Sequence, residues 1–135
     1  MFVLDASVTL AWCFTDEAST YADRVLARLD GEEAIAPAIW PLEVANGLRT
    51  AERRGRLDTG DIPRVRELLD ALPIAIEVIQ LDAALGNILE LARAHELTTY
   101  DAAYLALAAR RGLALATIDA GLQKACERSG VGLVR

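Results

Sequence analysis

The chain has 135 residues, of which 53% are hydrophobic and 25% are charged. This balance excludes a disordered or fibrous protein, and a domain near this size buries roughly two-thirds of the surface that its unfolded form exposes, so we expect one domain over residues 1–135. The net charge of −6 argues against a protein that grips nucleic acid through a generally basic surface.

The first residues, the lengths of the apolar runs and the surroundings of the cysteines predict the cellular compartment of the protein. Met1–Phe14 has no basic n-region and no small-residue cleavage pattern, so no signal peptide is expected. The longest apolar run, Ala102–Ala109, is far shorter than the roughly 20 residues that span a bilayer. Cys13 and Cys126 each lie in a helix-like apolar pattern, with no Cys/His cluster near them. We expect a cytoplasmic protein whose two cysteines are reduced core thiols.

The first part of the chain alternates short apolar runs with helical patterns. Phe2–Leu4 predicts a strand that ends at Asp5, and Ser7 is placed to cap the helix that follows. A second helix is predicted to end at Gly31, and Ala34–Ala36 predicts a second strand. The second helix is indicated by apolar residues at spacings of three and four, which are Ala22, Val25, Leu26 and Leu29.

The middle of the chain predicts two helices, a strand and a further helix. Pro41 suits the first turn of a helix that runs to Gly55. A second amphipathic helix stops before Pro73, and the two helices are expected to form a hairpin. Ile74–Leu81 is rich in β-branched residues and predicts the third strand, after which Asp82 is expected to cap a helix.

The last third of the chain continues the alternation. Tyr100–Arg111 is mostly Ala and Leu, which predicts a helix buried on several sides that ends at Gly112. Leu113–Thr117 predicts the fourth strand, Leu122–Glu127 the last helix, and Val131–Val134 a last strand. Apolar strands that alternate with helices predict an α/β fold in which a parallel sheet of four to five strands is covered by helices on both faces.

Four acidic residues are predicted to meet at one edge of this sheet. Asp5 and Asp119 directly follow strands, whereas Glu43 and Asp101 lie in the first turns of helices that lead away from the same edge. Each acid alone is explained by a favourable place at a helix start. Four together repel one another unless a cation compensates, and carboxylate oxygens suit Mg²⁺ or Mn²⁺. Without these four, 16 acids face 14 bases, so the acidity of the chain belongs partly to this pocket.

Four short segments, taken in order and spacing, also carry a specific pattern. They are Phe2–Ser7 (FVLDAS), Glu43–Asn46 (EVAN), Thr99–Ala106 (TYDAAYLA) and Ala116–Asp119 (ATID). In these segments the chain resembles the PIN-domain ribonucleases, and in particular the VapC-type toxins of bacterial and archaeal toxin–antitoxin pairs. The resemblance covers essentially the whole chain.

The resemblance implies a three-layer α/β/α fold and a catalytic site that holds one or two Mg²⁺ or Mn²⁺ ions on the four acids. Short hydroxyl and amide side chains would hold a carboxylate in place without adding charge. The supporting residues implied are Ser7, Asn46 and Thr117. Many relatives carry a polar residue two positions after the last motif Asp, where this chain has Gly121, so a second metal is expected to be weakly held or absent.

The hypothesis that follows is an endoribonuclease. A metal-activated water would attack an RNA phosphodiester in line, leaving a 5′-phosphate and a 3′-hydroxyl. The one histidine, His95, is predicted to have a solvated or packing role near a helix end and not to act as the base. The resemblance further implies a homodimer and a small antitoxin protein that blocks the pocket, often with an arginine.

The residues that would contact RNA are less specific. Arg49, Arg53 and Arg56 recur along one side of the helix that begins near Glu43, and they could contact phosphates. A solvated basic helix face explains the same spacing equally well. Aromatic side chains can stack on bases, although they are more often core or interface residues. The aromatic candidates are Trp12, Trp40 and Tyr104.

Two alternatives remain open. An Asp directly after the first strand is also the nucleophile of aspartyl-phosphate phosphatases and the phosphate acceptor of receiver domains. The phosphatase pattern requires a second acid where Ser7 stands, and a receiver requires a lysine after a late strand, whereas Lys124 lies within the last predicted helix. The other alternative is a nonenzymatic binding module whose acids serve only as helix caps.

Overall fold

A parallel sheet forms the centre of the molecule. The computed structural model describes residues 1–14, 16 and 19–135. The strands are β1 (Phe2–Leu4), β2 (Ala34–Pro37), β3 (Ile74–Glu77) and β4 (Leu115–Ala116). They pair in the order β3-β2-β1-β4, and every pairing is parallel. Val3 of β1 pairs with Ile35 on one side and Leu115 on the other, so β1 lies inside the sheet.

Helices connect the strands and cover both faces of the sheet. They are α1 (Ala6–Cys13), α2 (Thr20–Arg28), α3 (Trp40–Arg53), α4 (Ile62–Asp70), α5 (Leu81–Ala83), α6 (Leu89–His95), α7 (Thr99–Arg111) and α8 (Ala120–Ser129). A 3₁₀ turn, Thr59–Asp61, precedes α4, and a π-helical segment, Ala84–Ile88, joins α5 to α6. α1 packs against α2 and α3, whereas α7 packs against α6, α8 and the strands. The predicted α/β/α layering is confirmed.

Helix α7 is the most deeply buried helix segment of the fold. Its residues from Ala102 to Ala108 are all buried, as the Ala- and Leu-rich sequence predicted. Small alanine side chains let α7 contact β1, β2 and β4 closely. Gly112 ends the helix with a φ of 65°, a left-handed conformation that glycine adopts without steric cost. The same helix therefore carries Asp101 to the edge of the sheet on a rigid support.

The third strand and the helix start after it differ from the prediction. β3 ends at Glu77 and does not continue to Leu81, which already begins α5. β3 lies at the edge of the sheet and pairs with β2, and it ends where β2 ends, since Glu77 pairs with Pro37, the last residue of β2. The prediction that Asp82 caps the next helix is also wrong, because Gln80 occupies the N-cap and Asp82 lies in the first turn.

The last two predicted strands are shorter than expected. Leu113–Thr117 was predicted as a strand, but Leu113 still donates its N–H to Ala108 in the turn that ends α7, and β4 has two residues. The predicted strand Val131–Val134 reduces to one parallel bridge between Leu115 and Leu133. The C-terminal segment nevertheless lies beside β4 and extends this side of the sheet.

Three smaller features concern the cysteines, the membrane and the predicted hairpin. Cys13 and Cys126 are buried and unpaired, as predicted. Within the described residues, no helix is long and apolar enough to cross a membrane. The predicted hairpin of α3 and α4 lines the two sides of an apolar groove of about 430 Å³, with Val44 and Leu48 on one side and Val65 on the other.

Candidate metal-binding active site

Asp5 lies where β1 ends and α1 begins, and it is only 4% exposed. Its Oδ2 accepts hydrogen bonds from Ser7 Oγ at 2.5 Å and from Thr117 Oγ1 at 2.8 Å. Burial raises the pKa of Asp5, the hydrogen bonds from Ser7 and Thr117 oppose that rise, and the charge of Asp119 adds to it. The prediction that Ser7 caps α1 is wrong, because Asp5 occupies the N-cap and Ser7 supports its carboxylate instead.

Glu43 extends from the first turn of α3 to the same edge of the sheet. The hydroxyl of Tyr104, which is 0% exposed, donates to Glu43 Oε1 at 2.6 Å. Burial raises the pKa of Glu43, the Tyr104 hydrogen bond opposes the rise, and the charges of Asp5 and Asp101 add to it. Tyr104 therefore cannot stack on a base, because its ring is enclosed and its hydroxyl holds Glu43. Its place one helical turn after Asp101 was the sequence signal that could have indicated this role.

Asp101 lies in the first turn of α7, where its backbone N–H donates to the side chain of the N-cap Thr98 at 3.1 Å. Burial raises the pKa of Asp101 to about 6, and the charges of Asp119 and Asp5 contribute to the rise. Within the described residues no donor is hydrogen-bonded to this carboxylate. Asp101 is thus the acid of the group with the least internal compensation.

Asp119 is the N-cap of α8, and its Oδ2 accepts a hydrogen bond from the Leu122 N–H at 2.8 Å. Its own N–H donates to Thr117 Oγ1 at 3.1 Å, so Thr117 connects Asp119 to Asp5. A Cβ atom at Gly121 would lie 3.3 Å from Asp119 Oδ2 and would press on this carboxylate. The glycine at this position leaves the carboxylate room to keep its cap hydrogen bond.

The four acids act on one another electrostatically and lack basic partners. In the part of the chain that the structure describes, no salt bridge reaches any of them, and no three acidic, His or Cys side chains converge tightly enough to hold a cation as they stand. Asp5, Glu43 and Asp119 each accept a hydrogen bond from a protein donor on one carboxylate oxygen. The donor set still fits Mg²⁺ or Mn²⁺, because hard carboxylate oxygens suit these ions and a cation relieves the mutual repulsion.

The predicted supporting residue Asn46 and the three predicted RNA-contacting arginines are all on the surface, and Arg56 lies beyond the end of α3 at Arg53, not on the helix as predicted. Asn46 is exposed and makes no side-chain hydrogen bond within the described residues. Arg49 lies 3.5 Å from Glu52, and Arg56 lies 3.3 Å from Asp16. Acidic partners thus already engage two of the three arginines, and contact with RNA at this helix stays a prediction.

The tryptophans and the histidine lie in the packed part of the molecule. Trp40 is 9% exposed and its Nε1 donates to Thr9 Oγ1 at 3.0 Å, while Trp12 Nε1 donates to the Ala22 carbonyl at 2.8 Å. His95 ends α6 with its Nδ1 buried. The two tryptophans join helix α1 to α2 and α3, which favours packing roles over stacking on RNA.

Comparison with known proteins identifies a family and several structures of similar fold. Residues 2–128 match the family described as PIN domain. The chain is 34% identical over 117 residues to Ribonuclease VapC3 of Pyrobaculum aerophilum, which covers 87% of this chain and 88% of that protein. In fold it is similar to a protein of known crystal structure from Pyrobaculum aerophilum, with a TM-score of 0.67, 24% identity, and 92% of this chain and 84% of that chain covered.

Two further solved structures share the fold at lower identity. One is a toxin–antitoxin complex from Klebsiella pneumoniae, with a TM-score of 0.62, 19% identity, and 88% of this chain and 87% of that chain covered. The other is FitAcB from Neisseria gonorrhoeae, with a TM-score of 0.67, 20% identity, and 100% of this chain and 97% of that chain covered. The sequence match over nearly the whole length, together with this shared architecture, shows that the chain belongs to the PIN-domain family.

Proposed function

We propose that this chain is a metal-dependent endoribonuclease and the toxin of a VapBC-type toxin–antitoxin pair, formed by a single domain over residues 1–135. The observation that carries the proposal is a set of four acids from separate parts of the chain: the charges of Asp5, Asp101 and Asp119 raise the pKa of acidic neighbours, and none of the four has a basic partner among the described residues. The 34% identity to a protein named Ribonuclease VapC3 supports RNA as the substrate.

The proposed chemistry assigns each residue a task at the sheet edge. Asp5, Glu43, Asp101 and Asp119 would hold one or two Mg²⁺ or Mn²⁺ ions, which when bound supply a Lewis acid that activates water and stabilises charge on a phosphate. The hydroxyls of Ser7 and Thr117 keep the Asp5 carboxylate oriented, and the hydroxyl of Tyr104 keeps the Glu43 carboxylate oriented. With a pKa of about 6, the carboxyl of Asp101 is ionised at neutral pH and ready for a cation. Hydrolysis would leave a 5′-phosphate and a 3′-hydroxyl.

The proposal includes two protein partners and the surface of α3. An antitoxin would cover the acidic edge, and an arginine from it could pair with these carboxylates in the bidentate geometry that strengthens such contacts. The Klebsiella pneumoniae neighbour is itself described as a toxin–antitoxin complex, which supports this partner. A homodimer and a cytoplasmic location complete the proposal. Asn46 remains a proposed support for the site, and Arg49, Arg53 and Arg56 remain proposed RNA contacts.

Cleavage of RNA by the purified chain tests the proposal directly. Total RNA is incubated with the wild-type chain, Asp5→Asn and Asp101→Asn, each with Mg²⁺, with Mn²⁺ and with a chelator, and the new RNA ends are sequenced. We expect 5′-phosphate ends from the wild type with metal, and a loss of at least about 100-fold in rate in either variant. Full cleavage by both variants, or cleavage in the chelator, would refute the site assignment.

The same samples separate the alternative functions. An acyl phosphate that labels Asp5 covalently, with no RNA cleaved, would indicate aspartyl-phosphate chemistry. A chain that neither cleaves RNA nor binds Mn²⁺ in calorimetry would be a binding module, because acids that only cap helices bind no divalent cation with this dependence on Asp5 and Asp101.

A further inference from the structure

A second cavity opens at the same edge of the sheet, on the far side of β4 from Asp5. This cleft has a volume of about 230 Å³, and the residues that matter in its lining are Tyr21, Arg24, Thr117, Gln123 and Arg135. A water molecule takes up roughly 30 Å³ in the liquid, so the cleft has room for a phosphate group and several waters. We call it the basic cleft.

Thr117 joins the basic cleft to the acidic pocket. Its side chain donates to Asp5 at 2.8 Å, while its carbonyl accepts a hydrogen bond from Gln123 Nε2 at 3.1 Å inside the cleft. The hydroxyl of Tyr21 donates to the Val134 carbonyl at 2.9 Å on the same side of Thr117. Thr117 therefore lines the cleft and contacts Asp5 of the pocket at the same time.

The charge of the cleft is opposite to that of the pocket. Arg24 and Arg135 are exposed, and neither forms a salt bridge with an Asp or Glu side chain of the described residues. Arg28, one turn after Arg24 on α2, instead pairs with Glu32 at 2.7 Å. Two cations that keep their charge thus face the cleft directly beside the acidic edge.

The order of the strands in the sheet sets the order of the acids and the basic cleft along the sheet edge. Glu43 follows β2, Asp5 follows β1 and Asp119 follows β4, so the acids lie in a row along the edge in the order of the strands. The basic cleft continues that row beyond β4. Acids repel the phosphates of a nucleic acid, so a strand lying along the edge needs positive charge next to the pocket to remain bound there.

We infer that the basic cleft is a subsite that binds a phosphate group of the RNA strand, next to the phosphodiester that is cut, through Arg24 and Arg135. This inference rests on the proposed ribonuclease function. Because these contacts go to the backbone, the subsite adds affinity and register without selecting a base. The phosphate contact through Arg24 also predicts a dependence of RNA binding on salt, since each neutralised phosphate releases counterions.

Binding of a short single-stranded RNA to the uncleaving Asp101→Asn chain in Mg²⁺ tests the inference. Arg24→Ala, Arg24→Lys and, as a matched loss of one arginine, Arg128→Ala are each added to that chain. Arg128 is exposed in the last turn of α8, at the end of the helix away from the acidic edge. Fluorescence anisotropy gives Kd from about 50 to about 200 mM salt.

We expect Arg24→Ala to weaken RNA binding by roughly three- to tenfold and to reduce the slope of log K against log salt by about 0.7, the value for one phosphate of a single strand. Arg24→Lys should restore most of the affinity, because lysine keeps the charge, and Arg128→Ala should leave both values unchanged. Equal losses for Arg24→Ala and Arg128→Ala, or no loss for either, overturn the inference while leaving RNA cleavage by the wild type intact. Failure of the wild type to cleave RNA and of the Asp101→Asn chain to bind it removes the proposed function and the subsite together.

Discussion

Two acidic regions of the molecule differ in whether basic side chains of the chain neutralise their negative charge. Glu77, on the edge strand β3, accepts hydrogen bonds from Arg110 and, at 2.9 and 3.1 Å, from Arg111. Burial raises the pKa of Glu77, but the bonds from these two arginines outweigh it and the pKa is lowered. At the sheet edge, Asp101 has no such partner among the residues that the structure describes, and its pKa is raised to about 6. Glu77 thus has its counter-ions within the chain, whereas the four acids at the sheet edge form no salt bridge within the described residues.

Neutralising one acid in each region gives the largest expected contrast. Asp101→Asn should abolish RNA cleavage and raise the melting temperature of the metal-free chain by a few degrees, because it removes charge repulsion at a partly buried site. Glu77→Gln should keep cleavage and lower the melting temperature by a few degrees, because it breaks two partly exposed ion pairs worth roughly 1 kcal/mol together. Activity assays and thermal denaturation check both. Melting temperatures that move in the same direction would break the comparison.

Removing the hydroxyl that orients Glu43 tests how the pocket is held. Tyr104→Phe should weaken Mn²⁺ binding by about 10- to 100-fold, the usual cost of losing a partner of a metal-binding carboxylate. Tyr100→Phe removes an exposed hydroxyl from the same helix and serves as the control. Titration calorimetry measures both affinities. In a Glu43→Gln background, Tyr104→Phe should have little further effect, because the two residues act as one unit. Additive losses would show instead that Tyr104→Phe acts by loosening the core.

The pH dependence of stability should have opposite signs in the two regions. The folded chain binds the Asp101 proton more tightly than the unfolded chain, since the pKa is about 6 against 3.8, so this residue lowers stability as pH rises between these values. Glu77 has a lowered pKa, and its contribution is present at neutral pH and is lost only as pH falls through that lowered value.

Thermal denaturation of the metal-free chain at about pH 5 and about pH 7.5 measures the first of these contributions. We expect a melting temperature a few degrees lower at the higher pH, a smaller difference in Asp101→Asn, and recovery of the loss in excess Mn²⁺, because bound metal stabilises the folded state. A wild-type chain that becomes more stable over this range without metal would contradict the raised pKa of Asp101.

Local patterns were enough to predict much of the fold. The buried helix from Ala102 to Ala108 and its end at Gly112 follow from residue spacing and from the freedom of glycine, both properties of neighbours in the chain. The errors fall at the boundaries, as in β3, where pairing decides the length. Ile74–Leu81 has the composition of a strand throughout, but the neighbouring strand β2 ends at Pro37, opposite Glu77, and residues 78–81 extend beyond it.

The sequence alone determined that the four acids directly follow strands or lie at the starts of helices. The order of the motifs also predicted that these acids belong together in a PIN-like domain. Only the tertiary structure decided what surrounds them: the bond from Tyr104 to Glu43, 61 residues away, the bond from Thr117 to Asp5, 112 residues away, and the cleft that Arg24 faces. The reason is that strand and helix patterns depend on near neighbours, whereas a side chain's partner depends on which strands lie side by side and how the helices cross them.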